Sequence, residues 1–406
     1  MKIGLISFHS FLYPGGVKKH VLGLHKEFKK KGIESKIIAP RRAKEEDYGR
    51  DVILLGTSFP VNFSGTRADF CVNFNPLAIQ KILKKEKFDI LHFHNFGLPS
   101  TFQILERSRV LNILTFHANI GRSEFLKNFP VFLYLFRKIA QWKIDGIIGV
   151  ASLNLELFRK YSGSKTVISN GIDFEEFNSK ISRLKKFSDD KINILFVGRI
   201  EERKGLIYLL KAYQILSKKF SNLRLIIVGE GDLKKECQAW AQSQNLKEVY
   251  FEGQVRDKEL PSYYRSCDIF VSPAIFGESF GIVLLEAMAS GAPVVAFANQ
   301  GYKELLGGKK GEKFLVKPRA FRALAEKIEI LIKNPDLRQE MGEWGEIEAK
   351  NYSWPKIADQ ILDFYQLCQK NKQDSGVRKS EQKPFFIDKI VHKVYNKDIL
   401  KWLKPK

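Results

Sequence analysis

Cysteine is scarce in this sequence of 406 residues. The four that occur lie far apart, at Cys71, Cys237, Cys267 and Cys368. No C-x-x-C pair and no Cys/His pair at zinc-ligand spacing is present, which argues against a zinc module and against a disulfide framework. So few cysteines are typical of a protein in a reducing compartment.

Long hydrophobic segments are missing as well. The longest uncharged apolar stretch, Phe129–Phe136, is far shorter than the roughly 20 residues that a membrane-spanning helix needs. The first residues, Met1 to Ile6, have the pattern of a strand, and we expect no signal peptide there. These features predict a protein that is soluble or attached to a membrane surface.

Positive charge is abundant and unevenly placed. The sequence has 68 Lys and Arg against 45 Asp and Glu, a net charge of +23, of which +14 falls in residues 1–172, +3 in 173–370 and +6 in 371–406. A basic surface attracts nucleic acid, anionic lipid or anionic small molecules, although solvated lysine-rich faces give part of the same excess. No zinc finger, arginine–aromatic stacking run or other nucleic-acid module occurs, so we expect no nucleic-acid partner.

Short apolar runs alternate with amphipathic stretches along most of the chain. This alternation is typical of parallel sheets covered on both faces, and its two series predict an α/β fold of two doubly wound, Rossmann-like domains. Ligands of such sheets bind beyond the carboxyl ends of the strands, so we expect the two domains to face each other across a cleft. The predicted strands are Ile3–Phe8, Ser35–Ala39, Ile90–His94, Asn112–Phe116, Gly146–Val150 and Thr166–Ser169, then Asn193–Val197, Leu223–Val228, Tyr250–Glu252, Asp268–Ser272, Pro293–Ala296 and Phe314–Val316.

Two strand-to-helix loops combine glycine with features that suit an anion. Gly15 and Gly16 precede the first helical pattern, where paired glycines let the backbone approach a ligand and the helix N-terminus favours negative charge. An ordinary turn would give the same pattern. Arg199 and Lys204 lie in the loop that follows Gly198 in the second domain, and two cations there suit a diphosphate leaving group or are solvated surface charges.

One stretch of the second domain carries two carboxylates beside a predicted helix start. A helix that begins near Phe280 places Glu278 in the loop before it and Glu286 two turns into it. The amides of Phe280, Gly281 and Ile282 would form an anion cradle. Carboxylates beside such a cradle can accept hydrogen bonds from sugar hydroxyls; a helix N-terminal charge and a buried ion pair are the structural alternatives.

Three histidines lie on or just after predicted strands of the first domain. His117 follows the strand 112–116, where an imidazole can bond to, or exchange protons with, a bound hydroxyl or phosphate. His92 and His94 share one face of another strand, and a metal site with His117 is conceivable. Because no carboxylate completes a ligand set, we expect histidines packed in the core or at the cleft edge, and no metal site.

Several short motifs occur together, in order and at plausible spacing. They are Gly15-Gly16-Val17, Phe116-His117, Asn170-Gly171-Ile172-Asp173, Gly198-Arg199 with Arg203-Lys204-Gly205, Val228-Gly229-Glu230-Gly231-Asp232, and Glu278 through Gly291. As a set they resemble the retaining glycosyltransferases of family 4, which have the GT-B fold. The resemblance covers roughly residues 1–370 and implies an acceptor-side domain over 1–177, a nucleotide-sugar-binding domain over 178–351 and a crossover helix over 352–370, which leaves 371–406 as a linker and a basic amphipathic helix.

The resemblance also implies roles for individual residues. Arg199 and Lys204 would hold the donor diphosphate, Glu278 the transferred sugar and Glu286 the nucleotide ribose, with His117 near the sugar and the acceptor; His117, Arg199, Lys204 and Glu278 are the expected catalytic residues. No cofactor and no metal is implied, because cations and helix termini neutralise the leaving group. No side-chain nucleophile is implied either: transfer would occur on the front face, with the leaving phosphate assisting removal of the acceptor proton. The donor-binding residues it implies are Gly15, Gly16, Gly198, Val255, Ser279, Phe280, Gly281, Ile282, Val283 and Glu286.

Within that family the sequence is most similar to phosphatidylinositol mannosyltransferase-like members. The similarity rests on the segment 14–21, on Thr115-Phe116-His117 and on the stretch from Glu278. Those enzymes have an acidic residue two positions before the proline and a glutamine after Gly-Gly-Val, where this chain has Leu12 and Lys18. Lys18 and Arg67 are the acceptor-binding residues that we expect, Arg67 standing in for a basic residue of the acceptor loop at a different spacing.

Three functions fit these observations. The first is transfer of a hexose of the mannose or glucose type from a nucleotide-diphosphate sugar to an anionic, phosphatidylinositol-like lipid; the second is the same chemistry on a soluble polysaccharide or small metabolite; the third is non-catalytic nucleotide binding. The family's expected site residues are all present, which argues against non-catalytic nucleotide binding; they are Arg199, Lys204, Glu278 and Glu286. The basic first domain and tail favour the first, and with it a cytoplasmic protein that is peripheral on the inner face of the cell membrane. The sequence gives no indication of the oligomeric state.

The C-terminal tail has the pattern of an interfacial helix. After Gln369 the sequence becomes polar, and then apolar residues recur at i, i+3 and i+4 spacing between Phe386 and Leu403, with lysines in the remaining turns. A basic polar face and Trp402 near the end are typical of a helix that lies in a membrane surface. The same apolar face would also suit packing on the body of the protein.

Deleting residues 377–406 should weaken binding to anionic vesicles, because each basic residue near an anionic surface contributes about 1 kcal/mol. Donor hydrolysis in solution should be retained. Co-sedimentation with anionic vesicles at increasing salt measures the effect, with neutral vesicles as the control. Unfolding or aggregation of the truncated protein would show instead that the tail belongs to the core.

Overall fold

Two sheets covered by helices make up the described part of the computed structural model, which comprises residues 1–12, 15–63, 66–73, 75–96, 99–118 and 130–374. Each sheet has a buried apolar cluster on either face. The structure therefore agrees with the predicted α/β class and with its division into two doubly wound units.

The first sheet is assembled from the N-terminal half of the chain. Its strands are β1 (Lys2–Ser7), β2 (Glu34–Arg41), β3 (Val52–Phe63), β4 (Thr66–Val72), β5 (Ile90–His94), β6 (Leu111–Phe116), β7 (Gly146–Gly149) and β8 (Ser164–Val167). Their order is β4-β3-β2-β1-β5-β6-β7-β8, and all neighbours except β3 and β4 are parallel. Helices on both faces bury every residue of the central strands β5 and β6. Buried and exposed residues therefore do not alternate along them.

The second sheet is parallel throughout. Its strands are β9 (Ile192–Val197), β10 (Leu223–Val228), β11 (Val249–Gly253), β12 (Ile269–Ser272), β13 (Val294–Phe297) and β14 (Leu315–Val316). The order β11-β10-β9-β12-β13-β14 reverses direction beside β9, and this switch point is where doubly wound sheets bind ligands. Each of these strands overlaps a predicted one.

Helices cover both sheets and set the positions of the loops. They are α1 (Gly16–Lys30), α2 (Pro76–Glu86), α3 (Ser100–Arg107), α4 (Pro130–Lys143), α5 (Leu206–Ser217), α6 (Lys234–Ser243), α7 (Leu260–Ser266), α8 (Ile282–Ala289), α9 (Gln300–Leu306), α10 (Phe321–Lys333), α11 (Pro335–Ala349) and α12 (Trp354–Asp374). A short 3-10 helix, Glu202–Lys204, lies between β9 and α5.

An antiparallel hairpin at one edge of the first sheet was not predicted. It consists of β3 and β4, and its alternation is interrupted by Gly56 and Pro60. Proline is tolerated on such peripheral strands but weakens the strand pattern in the sequence. The hairpin pairs Asn62 with Arg67, so Arg67 lies in a strand rather than in a loop, and its side chain falls outside the described part of the chain.

The helix α12 comes last among the described elements but packs on the first sheet. Its apolar face joins the core that contains residues of β1 and α1. The indole of Trp354 fills the space left by two glycines, because a Cβ at Gly23 would lie 2.2 Å from that ring and one at Gly171 2.5 Å. Farther along the helix the Tyr365 hydroxyl bonds to the His92 imidazole at 2.6 Å.

The helices in the described residues are all too short or too polar to cross a membrane. The predicted amphipathic helix of the tail lies outside those residues.

Candidate active site

Loops from the two sheets meet where their strands end. The hydroxyl of Ser279, in the loop before α8, donates to the backbone carbonyl of His117, directly after β6, at 2.7 Å. Gly16, the first residue of α1, lies so close to Ile282 that a Cβ there would be 3.3 Å from the Ile282 side chain. The segments that the sequence singled out in separate domains therefore form one region.

Glu278 is held by two cations. Its Oε1 atom accepts from Lys204 Nζ at 2.7 Å and from Arg203 Nη1 at 2.9 Å, and the Glu278 side chain is 12% exposed. Burial alone would raise the pKa of this carboxyl, but the attraction of Lys204 and Arg203 outweighs burial and lowers it. The carboxylate is therefore ionised at neutral pH and available as a hydrogen-bond acceptor.

Arg203 is the residue at this site to which the sequence gave no role. The 3-10 turn Glu202–Lys204 directs Arg203 and Lys204 toward the same carboxylate, and Glu201 pairs with the Arg203 Nε atom at 2.5 Å. A pair of adjacent cations in a loop would have been the signal. What the sequence does not show is the tight turn, which ends at Gly205 with φ +69°, where a Cβ would be 2.2 Å from the Pro273 carbonyl.

The side chain of Arg199 is more exposed than those of Arg203 and Lys204. Its side chain is 52% exposed, and its contact with Glu201 is long, at 3.5 Å. A guanidinium with that exposure can reach a bound anion without first breaking a close ion pair. Arg199 and Lys204 are both next to Gly198, as expected from the sequence, and Lys204 forms an ion pair with Glu278.

The start of α8 gives the loop after Glu278 its shape. Gly281 has φ +104°, and a Cβ there would lie 2.7 Å from the Tyr302 ring, so glycine is required on both counts. The first amides of α8 and of α1 belong to helix N-termini that approach each other at Ile282 and Gly16. Two such termini suit a phosphate group between the domains.

Glu286 is almost completely buried and has partners in both domains. Its Oε1 atom accepts from Lys19 Nζ of α1 at 2.6 Å, and its Oε2 atom accepts from the Tyr264 hydroxyl at 2.7 Å. The Glu286 side chain is 2% exposed and that of Lys19 39%. Burial by itself would lower the pKa of Lys19, but Glu286 outweighs it and the pKa is raised.

Lys18, the predicted acceptor residue, points elsewhere. Its ammonium donates to the Phe11 carbonyl at 2.6 Å and lies over the Phe11 ring. Successive residues of a helix project about 100° apart, so of two adjacent lysines only one can face the second domain. The structure brings Lys19, for which the sequence suggested no role, into contact with Glu286, and the acceptor role of Lys18 stays a prediction.

His117 is half-buried at the end of β6 and belongs to a group of neutral imidazoles. Its backbone amide donates to Asn95 Oδ1 at 2.7 Å, and its Nε2 atom lies 3.2 Å from His94 Nδ1. Burial, and then the neighbouring rings of His20, His9 and His92, lower the pKa of His117 well below its usual range. At neutral pH this side chain is a hydrogen-bonding group rather than a cation.

Four other predicted donor residues, Gly15, Val255, Phe280 and Val283, have the following contacts. Phe280 is buried with its ring 5.5 Å from that of Tyr352. Val255 and Val283 are partly buried against the core of the second domain, and the Gly15 carbonyl accepts from the Lys19 amide.

Solved structures share this architecture over nearly the whole chain. Sucrose-phosphate synthase (tll1590) from Thermosynechococcus elongatus superimposes with a TM-score of 0.73 at 21% identity, covering 90% of this chain and 98% of that one. Anabaena Alr3699/HepE in complex with UDP and glucose gives 0.71 at 20% identity, covering 90% and 99%. The fold is thus that of a GT-B glycosyltransferase, as predicted.

Sequence comparisons identify the family. Residues 14–176 match the model "Glycosyltransferase Family 4", and residues 177–347 match "Glycosyl transferases group 1". A phosphatidyl-myo-inositol mannosyltransferase of Mycobacterium leprae is 33% identical, covering 90% of this chain and 96% of the relative; that of Propionibacterium freudenreichii is 30% identical, covering 94% and 100%. The chain belongs to family 4 of the glycosyltransferases, and the family predicted from its motifs is confirmed.

The ion pair between the domains should be measurable as a coupling energy. We expect Lys19→Gln and Glu286→Gln each to lower the stability of the unliganded protein, and the double variant to lose less than the sum. Because Lys19 is partly exposed, the coupling should be on the order of 1 kcal/mol rather than the larger value of a fully buried pair.

Thermal unfolding of the four proteins gives this coupling. The pair Lys219 and Glu329, which lies on the surface of the second domain with 52% of the Lys219 side chain exposed, is the matched control and should couple less. Additive effects of Lys19→Gln and Glu286→Gln would contradict an energetically significant contact between the domains.

Proposed function

We propose that the chain is a retaining glycosyltransferase that moves a hexose from a nucleotide-diphosphate sugar to a membrane-associated anionic lipid of the phosphatidylinositol type. The observation that carries the donor part is the ionised Glu278 held between Lys204 and Arg203, beside the N-terminus of α8. A carboxylate in that setting accepts hydrogen bonds from sugar hydroxyls, while the adjacent cations and helix amides stabilise charge on a departing phosphate.

Retention of the anomeric configuration without a side-chain nucleophile is consistent with the hydrogen bonds that Glu278 and Glu286 accept. Glu278 and Glu286 each have close hydrogen-bond donors, which lower the nucleophilicity of a carboxylate by holding its lone pairs. In the proposal neither attacks the sugar; the acceptor hydroxyl enters on the face that the diphosphate leaves, and the leaving phosphate takes the proton. Arg199 is exposed enough to bind that diphosphate.

The acceptor part of the proposal is supported by relatives and by charge. Proteins named phosphatidyl-myo-inositol mannosyltransferase are 30–33% identical over most of the chain. The net charge of +14 in residues 1–172 suits an anionic lipid headgroup and an anionic membrane surface. The proposal places the protein in the cytoplasm, peripheral on the inner face of the cell membrane.

Arg199→Ala and Lys204→Ala should each lower kcat by roughly 10²–10³-fold, because each removes a group that stabilises charge in the transition state. Glu278→Ala should abolish transfer or leave mainly slow donor hydrolysis. Steady-state kinetics with the donor measure these losses, and Lys219→Ala, on an exposed surface of the same domain, is the control that should retain activity. Near-normal turnover in all three site variants would refute the donor site.

The function itself is tested by a donor and acceptor screen. UDP- and GDP-hexoses are combined with phosphatidylinositol vesicles or with free inositol and oligosaccharides, and NMR of the product gives the anomeric configuration. We expect transfer to the lipid with the configuration of the donor retained, and activity that persists in excess chelator. Transfer to soluble acceptors alone would replace the lipid assignment, and inversion or complete loss restored by magnesium would contradict the mechanism.

A further inference from the structure

We propose that His20, His94 and His117 form a three-imidazole site for a divalent transition-metal ion of the zinc, copper or nickel class, and that such an ion inhibits the enzyme. One ring nitrogen from each of these histidines lies within 4.8 Å of those of the other two. Three imidazoles with an open fourth position are a ligand set that zinc accepts. The site goes beyond the transfer reaction, which needs no metal in the proposal above.

The third ligand is not the one that the sequence suggested. His92 is engaged on both nitrogens: Nδ1 bonds to the Tyr365 hydroxyl and Nε2 to the Thr115 hydroxyl, each at 2.6 Å. His20 takes the third position, from the facing helix α1, with its ring centroid 4.8 Å from that of His117. Only the packing of α1 on the sheet brings it there.

The spacing of two of the nitrogens already fits a metal ion. His94 Nδ1 and His117 Nε2 are 3.2 Å apart. Two nitrogens bound to a tetrahedral zinc at 2.0–2.1 Å are separated by about 3.3 Å. These two nitrogens are within hydrogen-bond distance, so one of them carries a proton when no ion is bound. Metal binding would shift that proton to the other nitrogen of the same ring, and the rings would tilt so that both lone pairs point between them and His20.

A hydrogen bond to Asn170 determines which ring nitrogen of His20 carries the proton, as is common in metal-bound histidines. Its Nδ1 atom lies 2.9 Å from Asn170 Oδ1, which accepts a hydrogen bond, so the proton is on Nδ1 and the Nε2 lone pair is free. Metal-bound histidines characteristically donate their second ring nitrogen to a carbonyl or carboxylate oxygen in this way.

Two buried nitrogens of this cluster lack a partner. Among the described residues, His20 Nε2 and His94 Nε2 are buried without a hydrogen bond. The side chain of His20 is 2% exposed, and that of His94 is fully buried. Leaving such atoms unpaired costs free energy, and an ion bound to His20 Nε2 would remove that cost at His20, whereas His94 would bind through Nδ1. His117 is half-buried, so it is the most exposed of the three histidines.

Metal binding is measured on the full chain without a polyhistidine tag. We expect wild-type protein to bind one equivalent of Zn²⁺ in calorimetry and to give a Co²⁺ d–d absorption band without the charge-transfer band of a thiolate ligand. His20→Gln should weaken binding at least about tenfold, because loss of a ligand costs no less than loss of its outer partner. His25→Gln, a histidine of the same helix that bonds to Ser35 and Asp51, is the control and should bind normally.

Inhibition is the second readout, and this arm alone depends on the proposed function. Zn²⁺ should inhibit transfer by wild type and by His25→Gln reversibly with chelator, and should inhibit His20→Gln only at higher concentration. Absence of stoichiometric binding to the wild type overturns the proposal, even if a variant fails to fold. Unchanged affinity in folded His20→Gln, or a thiolate band with Co²⁺, would place the ion elsewhere and overturn it equally.

Discussion

Buried negative charge is the constraint on which this site depends. Glu278 and Glu286 lie where the two domains meet, with side chains 12% and 2% exposed, and a carboxylate so far from water is stable only beside positive or hydrogen-bonding partners. Glu278 finds them in its own domain, from the turn that carries Arg203 and Lys204. Glu286 finds one in the other domain, Lys19, so the same requirement that orders the loop around Glu278 also connects the two domains.

The helix α12 adds a second connection between the second domain and the first. Trp354 begins the helix against Gly23 and Gly171, and its ring lies 5.2 Å from that of His20, while Tyr365 bonds to His92. The histidines at the ends of the first-sheet strands are thus enclosed by a helix that follows the second domain in sequence. Enclosure excludes water from the rings and keeps them neutral, which suits hydrogen bonding to hydroxyl groups and, equally, coordination of a metal ion.

Glycosyl transfer without a metal and a metal site in the same cleft are compatible. In the proposed reaction the charge on the leaving diphosphate is met by Arg199, Lys204 and the helix amides, so no ion is needed there. The histidine cluster lies in the first domain, and the family resemblance implies that His117 lies near the sugar. An ion on those rings would occupy that position, which is why the inferred effect is inhibition.

The sequence by itself determined the α/β class, nearly all the strands of both sheets and the family, because buried parallel strands and glycine-bearing loops are local patterns. It also identified Arg199, Lys204, Glu278 and His117 as candidates from their positions after strands. Arg203, Lys19 and His20 were decided only by the tertiary structure. Each lies inside a recognised motif or segment, and which of its residues faces the site depends on the direction of a helical turn and on the packing of one domain against the other. The hairpin β3–β4 likewise depends on pairing that Gly56 and Pro60 hide from any periodic pattern.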